Sequence, residues 1–307
     1  TQSPAGERID VVASRNQNQE AEYLVERISR GERGGSWAVL YRTNAQSRAI
    51  EQALIARSIP YRIFGGVRFY ERKEIKDVVA GLRLIANPRD GVSRDRLEKT
   101  FSKSIAEHLF RTLAQSTAQE PLLNLINSFL SAAQYAAFLE HKFENAGERM
   151  ENINELIVFA SECADLPEFL ERVSLMQSTD MPHGGTMTHD NDHDRKNSSH
   201  SYRHSPVSLM TIHMAKGLEF DTVHVAGCSE GLLPHQMAYA SQEELEEERR
   251  LMYVAMTRAR KKLSLSFSGI PSRFLHELPP ELTESIRLGG DAYDDSFGDD
   301  IVYVDDE

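Results

Sequence analysis

Several signatures of chemistry and of cellular location are missing from the sequence. Its 307 residues include only two cysteines, Cys163 and Cys228, which cannot form a disulfide framework, so we expect a reducing, cytosolic (cytoplasmic) environment. No apolar run approaches the ~20 residues that a membrane-spanning helix needs, and we expect no membrane partner. The chain also has no G-x-x-x-x-G-K-[ST] phosphate-binding loop and no H-E-x-x-H or C-x-x-C motif. These absences exclude the enzyme classes that depend on those motifs within one chain.

The negative charge is unevenly distributed along the chain. The formal net charge of −12, taken as a whole, argues against a general nucleic-acid coat protein. However, residues 291–307 contain eight acidic and no basic side chains, whereas residues 1–91 carry a net charge of +4 and residues 206–280 a net charge of −1. The overall charge therefore does not exclude nucleic-acid binding by these two segments. We expect residues 281–307 to form a disordered acidic tail, with a partner-binding peptide as the alternative.

The pattern of apolar residues predicts two kinds of structure. Strand and helix patterns alternate over residues 1–91 and return over residues 206–280, which predicts an α/β domain with a parallel sheet. Between them, residues 92–205 show only helical periodicity and predict an all-helical insertion, in which the polar, His-rich residues 178–205 are expected to be disordered. The predicted strands are residues 9–14, 37–42, 61–64, 208–213, 222–227 and 263–267, and the main predicted helices of the α/β domain are 19–30, 45–57, 75–85 and 243–256.

The densest group of chemically useful residues begins at the end of the predicted strand 208–213. It reads TIHMAKGLEF from Thr211 to Phe220 and places a hydroxyl, an imidazole, an ammonium, a glycine and a carboxylate within nine residues. Loops at the carboxyl ends of parallel strands are where α/β sheets bind ligands. The segment predicts a ligand-binding loop, with a solvated polar connection as an equally weighted alternative. The ligand-binding interpretation uses Thr211 and Lys216 for phosphate oxygens, Gly217 for close backbone approach and Glu219 for a ribose hydroxyl.

Two further groups contain arginines with a possible role in phosphoryl transfer. The segment EEERRLMYVAMTRAR, residues 246–260, has a Glu-rich start and an Arg-rich end that suit a helix dipole, and Glu246 and Arg250 form a favourable i,i+4 pair. Arg258 lies one turn after Val254, and an arginine held there could stabilise charge on a transferring phosphoryl group. Tyr41 and Arg42 end the predicted strand 37–42 and could stack on a base and reach a phosphate, although packing and surface roles are the more common ones.

These segments resemble a known family, the UvrD/PcrA/Rep-type superfamily 1 DNA helicases. LYRTNAQSR (40–48) resembles motif IV, and FGGVRFYERKEIKD (64–77) resembles the stretch after it. VSLMTIHMAKGLEF (207–220) resembles motif V, and EEERRLMYVAMTRA (246–259) resembles motif VI. PSRFLHELP (271–279) is similar to the stretch that follows motif VI. The order along the chain is also that of the family.

The resemblance implies a fold and a function. Such helicases have two RecA-like domains with ATP between them, and a helical accessory domain interrupts the second, which is the layout predicted here. It implies a 3′→5′ ATP-dependent DNA helicase, with single-stranded DNA and duplex junctions, the preceding RecA-like domain, and repair or replication proteins as partners. Tyr41 is then expected near adenine, Glu219 at the ribose, Arg42 and Arg258 at the γ-phosphate, and Thr211, His213, Lys216 and Phe274 along DNA.

Two departures from the family pattern matter. The phosphate-binding loop and the residues that bind Mg²⁺ belong to the first RecA-like domain, so ATP and Mg²⁺ are expected as cofactors of a longer protein, and residues 1–307 alone are expected to be inactive. The start TQSP, without an initiator methionine, fits that expectation. The duplex-contacting Gly-Ile-Gly turn is also replaced, by SKSIA at residues 102–106. The alternatives are a stand-alone DNA- or protein-binding regulatory module and the motor part of a helicase–nuclease.

Overall fold

The computed structural model describes residues 6–30, 35–178 and 206–289, together with the backbone of Ile301–Val304. It divides into two compact units: a sheet unit, residues 1–67 and 181–307, and a helical unit, residues 68–180. The strands are β1 (Ile9–Ser14), β2 (Trp37–Tyr41), β3 (Tyr61–Ile63), β4 (Val207–Thr211), β5 (Phe220–Val225), β6 (Ala259–Ser268), β7 (Thr283–Leu288) and β8 (Ile301–Val304). The α-helices are α1 (Gln17–Ser29), α2 (Ser47–Ala56), α3 (Lys73–Ala86), α4 (Gly91–Thr100), α5 (Lys103–Leu113), α6 (Leu122–Ala132), α7 (Tyr135–Lys142), α8 (Ala146–Ser161), α9 (Leu166–Ser178) and α10 (Gln242–Met256).

The sheet unit has the predicted parallel architecture. Its strands lie in the order β3-β4-β2-β5-β6-β1-β7-β8, and every described pair is parallel. All five residues of β2 are buried, as expected of a strand covered on both faces. Ala38 and Leu40 contribute to the core that includes α10, whereas Val39 and Tyr41 contribute to the core that includes α1 and α2. The sheet is therefore sandwiched between helices on both faces.

The boundary between the units differs from the predicted one. The sequence placed residues 1–91 in the α/β domain, but the helical unit begins at Arg68 and includes α3. The reason is that α3 is buried on almost every side: its residues Ile75, Val79 and Leu82 pack with α4, α6, α8 and α9 in one core. Gly81 permits the close approach of Phe129, whose ring occupies the place of a Cβ. A stripe of apolar residues identifies a helix but does not say which domain covers it.

Part of the predicted acidic tail belongs to the sheet. Residues 283–288 form β7, which pairs in parallel with β1 in a register that joins Ile9 to Thr283 and Ala13 to Arg287. Strand β1 has β6 on its other side, so β7 covers what would otherwise be an open sheet edge. The backbone of β8 in turn pairs with β7. The other tail residues, 290–300 and 305–307, and most of the segment predicted to be disordered, 179–205, lie outside the described residues.

The helical unit is built around a single core formed by all seven of its helices. In it Asp77 accepts hydrogen bonds from Arg96 and Tyr135, and burial raises the pKa of this carboxyl despite those partners. Residues 102–106 form the start of α5, with Ser102 as the N-cap residue.

Within the described part of the chain, no single helix has the length and apolarity to cross a membrane. The bent pair α6 and α7 meets the criterion by length and composition only.

Candidate functional site

Arg42 is held by a carboxylate from the facing helix. It follows β2 at the carboxyl edge of the sheet, and its Nε donates to both Oε1 (3.0 Å) and Oε2 (3.1 Å) of Glu248 on α10, while Nη2 donates to Oε1 (2.8 Å). The Glu248 side chain is 9% exposed and that of Arg42 is 21% exposed. Oε2 of Glu248 also accepts from the backbone N–H of His235 (3.0 Å). The result is a fork-like, charge-assisted pair at the edge of the sheet.

Gln46 fixes the backbone that carries Arg42. Its Oε1 accepts hydrogen bonds from the backbone N–H groups of Arg42 and Thr43, each at 2.9 Å, and its Nε2 donates to the carbonyl of Ala226 at 3.1 Å. Ala226 directly follows β5, so one buried amide connects the carboxyl ends of two neighbouring strands. Gly227 has φ +71°, and the amide of Gln46 occupies the space of a Cβ there, so both its conformation and its size require glycine.

Tyr41 is placed differently from the expectation. Because side chains alternate along a strand, Tyr41 and Arg42 leave opposite faces of the sheet. Tyr41 is 1% exposed and packs in the core with α1 and α2, on the face away from α10. Its ring is a core element of the folded sheet unit and offers no open face for an adenine. The prediction of adenine stacking by Tyr41 is therefore not supported by the structure.

The segment after β4 crosses from one edge of the sheet to the other. Thr211 ends β4 directly beside Tyr41, and a single 3₁₀ turn, Ile212–Ala215, follows. β5 begins at Phe220 and is parallel to β2 and, through it, to β4, so residues 212–219 run from the carboxyl edge to the amino edge. Thr211 and His213 thus lie at the edge that carries Arg42, whereas Gly217 and Glu219 lie toward the opposite edge. This differs from the expectation that all four lie in one loop at the carboxyl edge.

The second half of this segment is open to solvent. Lys216, Gly217 and Glu219 are all exposed, and Gly217 has φ +86° with open space where a Cβ would lie. Oε2 of Glu219 accepts from Nε of Arg260 (3.0 Å), in a pair whose side chains are 53% and 57% exposed. Such an exposed pair adds little to stability, which leaves Glu219 available to a ligand hydroxyl. This surface has the accessibility that a nucleotide-binding role requires.

Arg258 is anchored by neutral oxygens. Nε donates to the carbonyl of Val254, Nη1 to the carbonyl of Leu218 and Nη2 to Oγ1 of Thr257, each at 3.0 Å. Among the described residues, no carboxylate pairs with its charge. The contact with Leu218 joins the end of α10 to the segment that carries Glu219. Arg258 is therefore a positioned guanidinium with an uncompensated positive charge.

The two arginines lie along the same helix but are not gathered at one point. Arg42 contacts Glu248, and Arg258 contacts Val254, six positions later on α10, which corresponds to about 9 Å along the helix axis. The structure therefore brings each arginine to α10 separately. A shared phosphate contact would require one or both side chains to extend from these positions.

Phe274 is buried, contrary to the expectation that it stacks on a DNA base. It is 3% exposed, packs in the core with Met252 and Ala255 of α10, and has the guanidinium of Arg249 5.3 Å from its ring centroid. The segment after β6 folds back onto α10, which turns this ring inward.

The predicted ion pair between Glu246 and Arg250 also differs from the structure: Arg250 pairs with Glu247 at 2.8 Å.

Sequence reasoning missed Glu248 and Gln46. The pattern gives Glu248 only the helix-dipole role of its acidic neighbours, although it shares a stripe with Met252 and Ala255, the other buried residues of α10. A carboxylate on an otherwise apolar stripe is the signal that could have identified a buried partner. No comparable pattern marks Gln46, because its function depends on the neighbouring strand β5. The His-rich cluster His183, His189, His193, His200 and His204 lies outside the described residues.

Ion pairs and burial shift several pKa values in the sheet unit. The bidentate contact with Arg273 lowers the pKa of Glu230 to about 2, and the backbone N–H of Ser36 and the ammonium of Lys261 lower that of Asp221 to about 2. Burial lowers the pKa of His224 to about 3, and its Nε2 lies 2.7 Å from Oγ of Ser266.

Within residues 6–30, 35–178 and 206–289, no group of three or more His, Cys, Asp or Glu side chains is placed to hold a metal ion.

Comparison with known proteins gives a consistent result. A model of the UvrD-like helicase C-terminal domain matches residues 1–136 and 124–269. DNA helicase II of Haemophilus influenzae is 34% identical over 94% of the chain and 47% of its own length, and that of Escherichia coli is 32% identical with the same coverage. ATP-dependent DNA helicase UvrD1 of Mycobacterium tuberculosis is 34% identical over 92% of the chain and 45% of its own length. The chain thus spans about half the length of these relatives, and it belongs to the UvrD-like helicase C-terminal domain family.

Proposed function

We propose that the chain acts as the carboxyl-terminal half of a 3′→5′ ATP-dependent DNA helicase, in which it supplies nucleotide-sensing and DNA-contacting residues. The observation that carries the proposal is Arg258, an anchored guanidinium without a carboxylate partner among the described residues. Such a group can stabilise the charge of a transferring phosphoryl group. The family match does not favour either a stand-alone regulatory module or a helicase–nuclease.

The nucleotide is the reaction's substrate, and the chain's own residues would contact its γ-phosphate and its ribose. Arg42 and Arg258 supply the positive charge, and Glu219 supplies a carboxylate that can accept from a ribose hydroxyl. Mg²⁺ would be held by residues of a preceding RecA-like domain. Tyr41 and Phe274 are left out of this proposal because both rings are buried.

The DNA contact would run along the carboxyl edge of the sheet. Thr211 and the exposed His213 lie there beside the end of β2, and Lys216 follows on the crossing segment. A hydroxyl, an imidazole and an ammonium bind a phosphate backbone without reading sequence, so we expect salt-sensitive and largely sequence-independent binding. Single-stranded DNA and duplex junctions are the proposed nucleic-acid partners, and repair or replication proteins are the proposed protein partners.

The cellular location is proposed from the cysteines. Both Cys163 and Cys228 are free thiols, and Cys228 is fully buried. Free thiols are typical of a reducing environment. We therefore propose a cytoplasmic location.

The test of the proposed function uses a protein in which this chain is joined to a preceding RecA-like domain. We expect Arg258→Ala to abolish ATP hydrolysis and to leave binding of a single-stranded oligonucleotide unchanged. The matched control is Arg250→Ala on α10, whose guanidinium is exposed and paired with Glu247. Normal ATP turnover by the Arg258→Ala protein would contradict the proposal, as would DNA-stimulated turnover by residues 1–307 alone.

A further inference from the structure

The contact between Arg42 and Glu248 has a geometry that leaves half of the guanidinium open. Glu248 occupies the Nε and Nη2 side of the fork. Among the residues that the structure describes, Nη1 has no hydrogen-bond partner. A guanidinium has five N–H donors in a fixed plane, so the edge formed by Nη1 and the second N–H of Nη2 faces away from the carboxylate. A ligand oxygen could therefore be bound while the contact with Glu248 remains intact.

Glu248 is itself firmly held. It lies on the buried stripe of α10, and its Oε2 accepts from the backbone N–H of His235 in addition to Arg42. On the other side, Gln46 fixes the backbone N–H of Arg42. Arg42 is thus restrained at both its backbone and its guanidinium, which leaves few of its rotamers accessible. A long, flexible arginine that is ordered before the ligand arrives loses less conformational entropy on binding.

We propose that Glu248 is a positioning residue that orients Arg42 for the γ-phosphate of the nucleotide. The inference rests on the proposed function of Arg42. The carboxylate has two opposite effects on phosphate binding: it orders the donor edge, and its negative charge weakens the attraction between Arg42 and an anion. The proposal is that the ordering effect is the larger, because Glu248 touches only the side of the guanidinium that faces away from the open edge.

Glu248→Gln separates these effects, because it preserves the size of the side chain and removes its charge. In the protein joined to a preceding RecA-like domain, we expect it to reduce kcat roughly 10- to 100-fold, as misplacement of a catalytic group does. We also expect weaker binding of a non-hydrolysable ATP analogue and ADP binding within about two-fold of wild type, since only γ-phosphate contacts are affected. The control is Glu247→Gln on the same helix, which removes an exposed carboxylate paired with Arg250.

The outcomes distinguish the two proposals. If wild-type protein does not hydrolyse ATP, the proposed function is wrong, and this inference fails with it. If wild type is active but Glu248→Gln binds the ATP analogue more tightly, the carboxylate sequesters Arg42 and the inference alone is wrong. Equal losses of ADP and ATP-analogue binding would show a merely structural role. Glu248→Gln in an Arg42→Gln background is expected to cause no further loss, and additive losses would also contradict the inference.

A second readout needs only residues 1–307. In the wild-type chain, the Nε–H of Arg42 donates to a carboxylate, so its NMR signal should be shifted and slow to exchange with solvent. Glu248→Gln should move this signal toward that of a solvated arginine, whereas Glu247→Gln should leave it unchanged. An unchanged Arg42 signal in Glu248→Gln would show that the carboxylate does not order the guanidinium.

Discussion

Phe274 offers a direct test of the packing of the sheet unit, because its expected and observed roles require opposite results. A base-stacking ring must be accessible, whereas a ring that is 3% exposed contributes to the core. Truncation of a fully buried phenylalanine to alanine costs ~3–5 kcal/mol through lost burial and the cavity that remains. We therefore expect Phe274→Ala to destabilise the chain by about this amount, which includes the loss of the contact with Arg249.

The measurement is the denaturant midpoint of residues 1–307, together with the melting temperature. For a unit of this size, ~1 kcal/mol corresponds to about 2–4 °C, so the expected decrease in Tm is roughly 6–20 °C. Phe274→Leu keeps most of the apolar volume and should cost less than about 1.5 kcal/mol. The control is Ile270→Ala, since Ile270 lies near Phe274 in sequence and is 72% exposed; its effect should stay within about 0.5 kcal/mol.

DNA binding by folded protein provides the complementary result. Below the melting temperature of the Phe274→Leu variant, fluorescence anisotropy with a labelled single-stranded oligonucleotide should give the affinity of the wild-type chain. The reasoning would be refuted if Phe274→Ala left the denaturant midpoint unchanged and lowered DNA affinity. That result would mean that the ring is exposed and binds DNA, as the resemblance to the helicase family implied.

Three other predictions concern stability and can be checked by unfolding experiments on the same chain. Arg273 lowers the pKa of Glu230 from 4.5 to about 2, so the stability that this pair contributes is fully present above pH 4.5 and is lost as the pH falls toward 2. Glu230→Gln should remove this part of the pH dependence of the free energy of unfolding. Burial lowers the pKa of His224 from 6.5 to about 3, so the free energy of unfolding decreases below pH 6.5, where the unfolded chain gains a proton and the folded chain does not. His224→Gln should therefore flatten the curve of stability against pH between pH 6.5 and 3. An unchanged slope would show that His224 is not buried in its neutral form. Gly81→Ala should destabilise the helical unit, because the added methyl overlaps the buried ring of Phe129 and overpacking costs ~1–3 kcal/mol. This cost opposes a gain in helix propensity of ~1 kcal/mol. A stabilised variant would show that the ring can move aside.

Local patterns in the sequence were sufficient for much of the fold. Strand β1 has the predicted bounds, and the continuous apolar run of β2 correctly indicated a strand buried on both faces. Helices α1, α2 and α10 each connect two strands of the sheet unit, and such crossovers return the chain to the same edge, as a parallel sheet requires. Motif strings identified the family, and the chain's exposed Lys216 and Glu219 lie on the surface as their types suggest.

Tertiary packing decided what those patterns left open. Arg42 and Glu248 can be recognised in the sequence as charged residues. Their hydrogen bond, however, depends on the packing of α10 against the end of β2. Tyr41 and Phe274 are aromatic residues in motif positions. Tyr41 is buried because its side chain lies on the face of β2 that packs against α1 and α2, and Phe274 is buried because the chain folds back onto α10 after β6. Helix α3 was recognised by its stripe, yet its unit was decided by its neighbours. Local periodicity is a property of nearby residues, whereas burial and ion pairing depend on residues distant in sequence, such as positions 42 and 248.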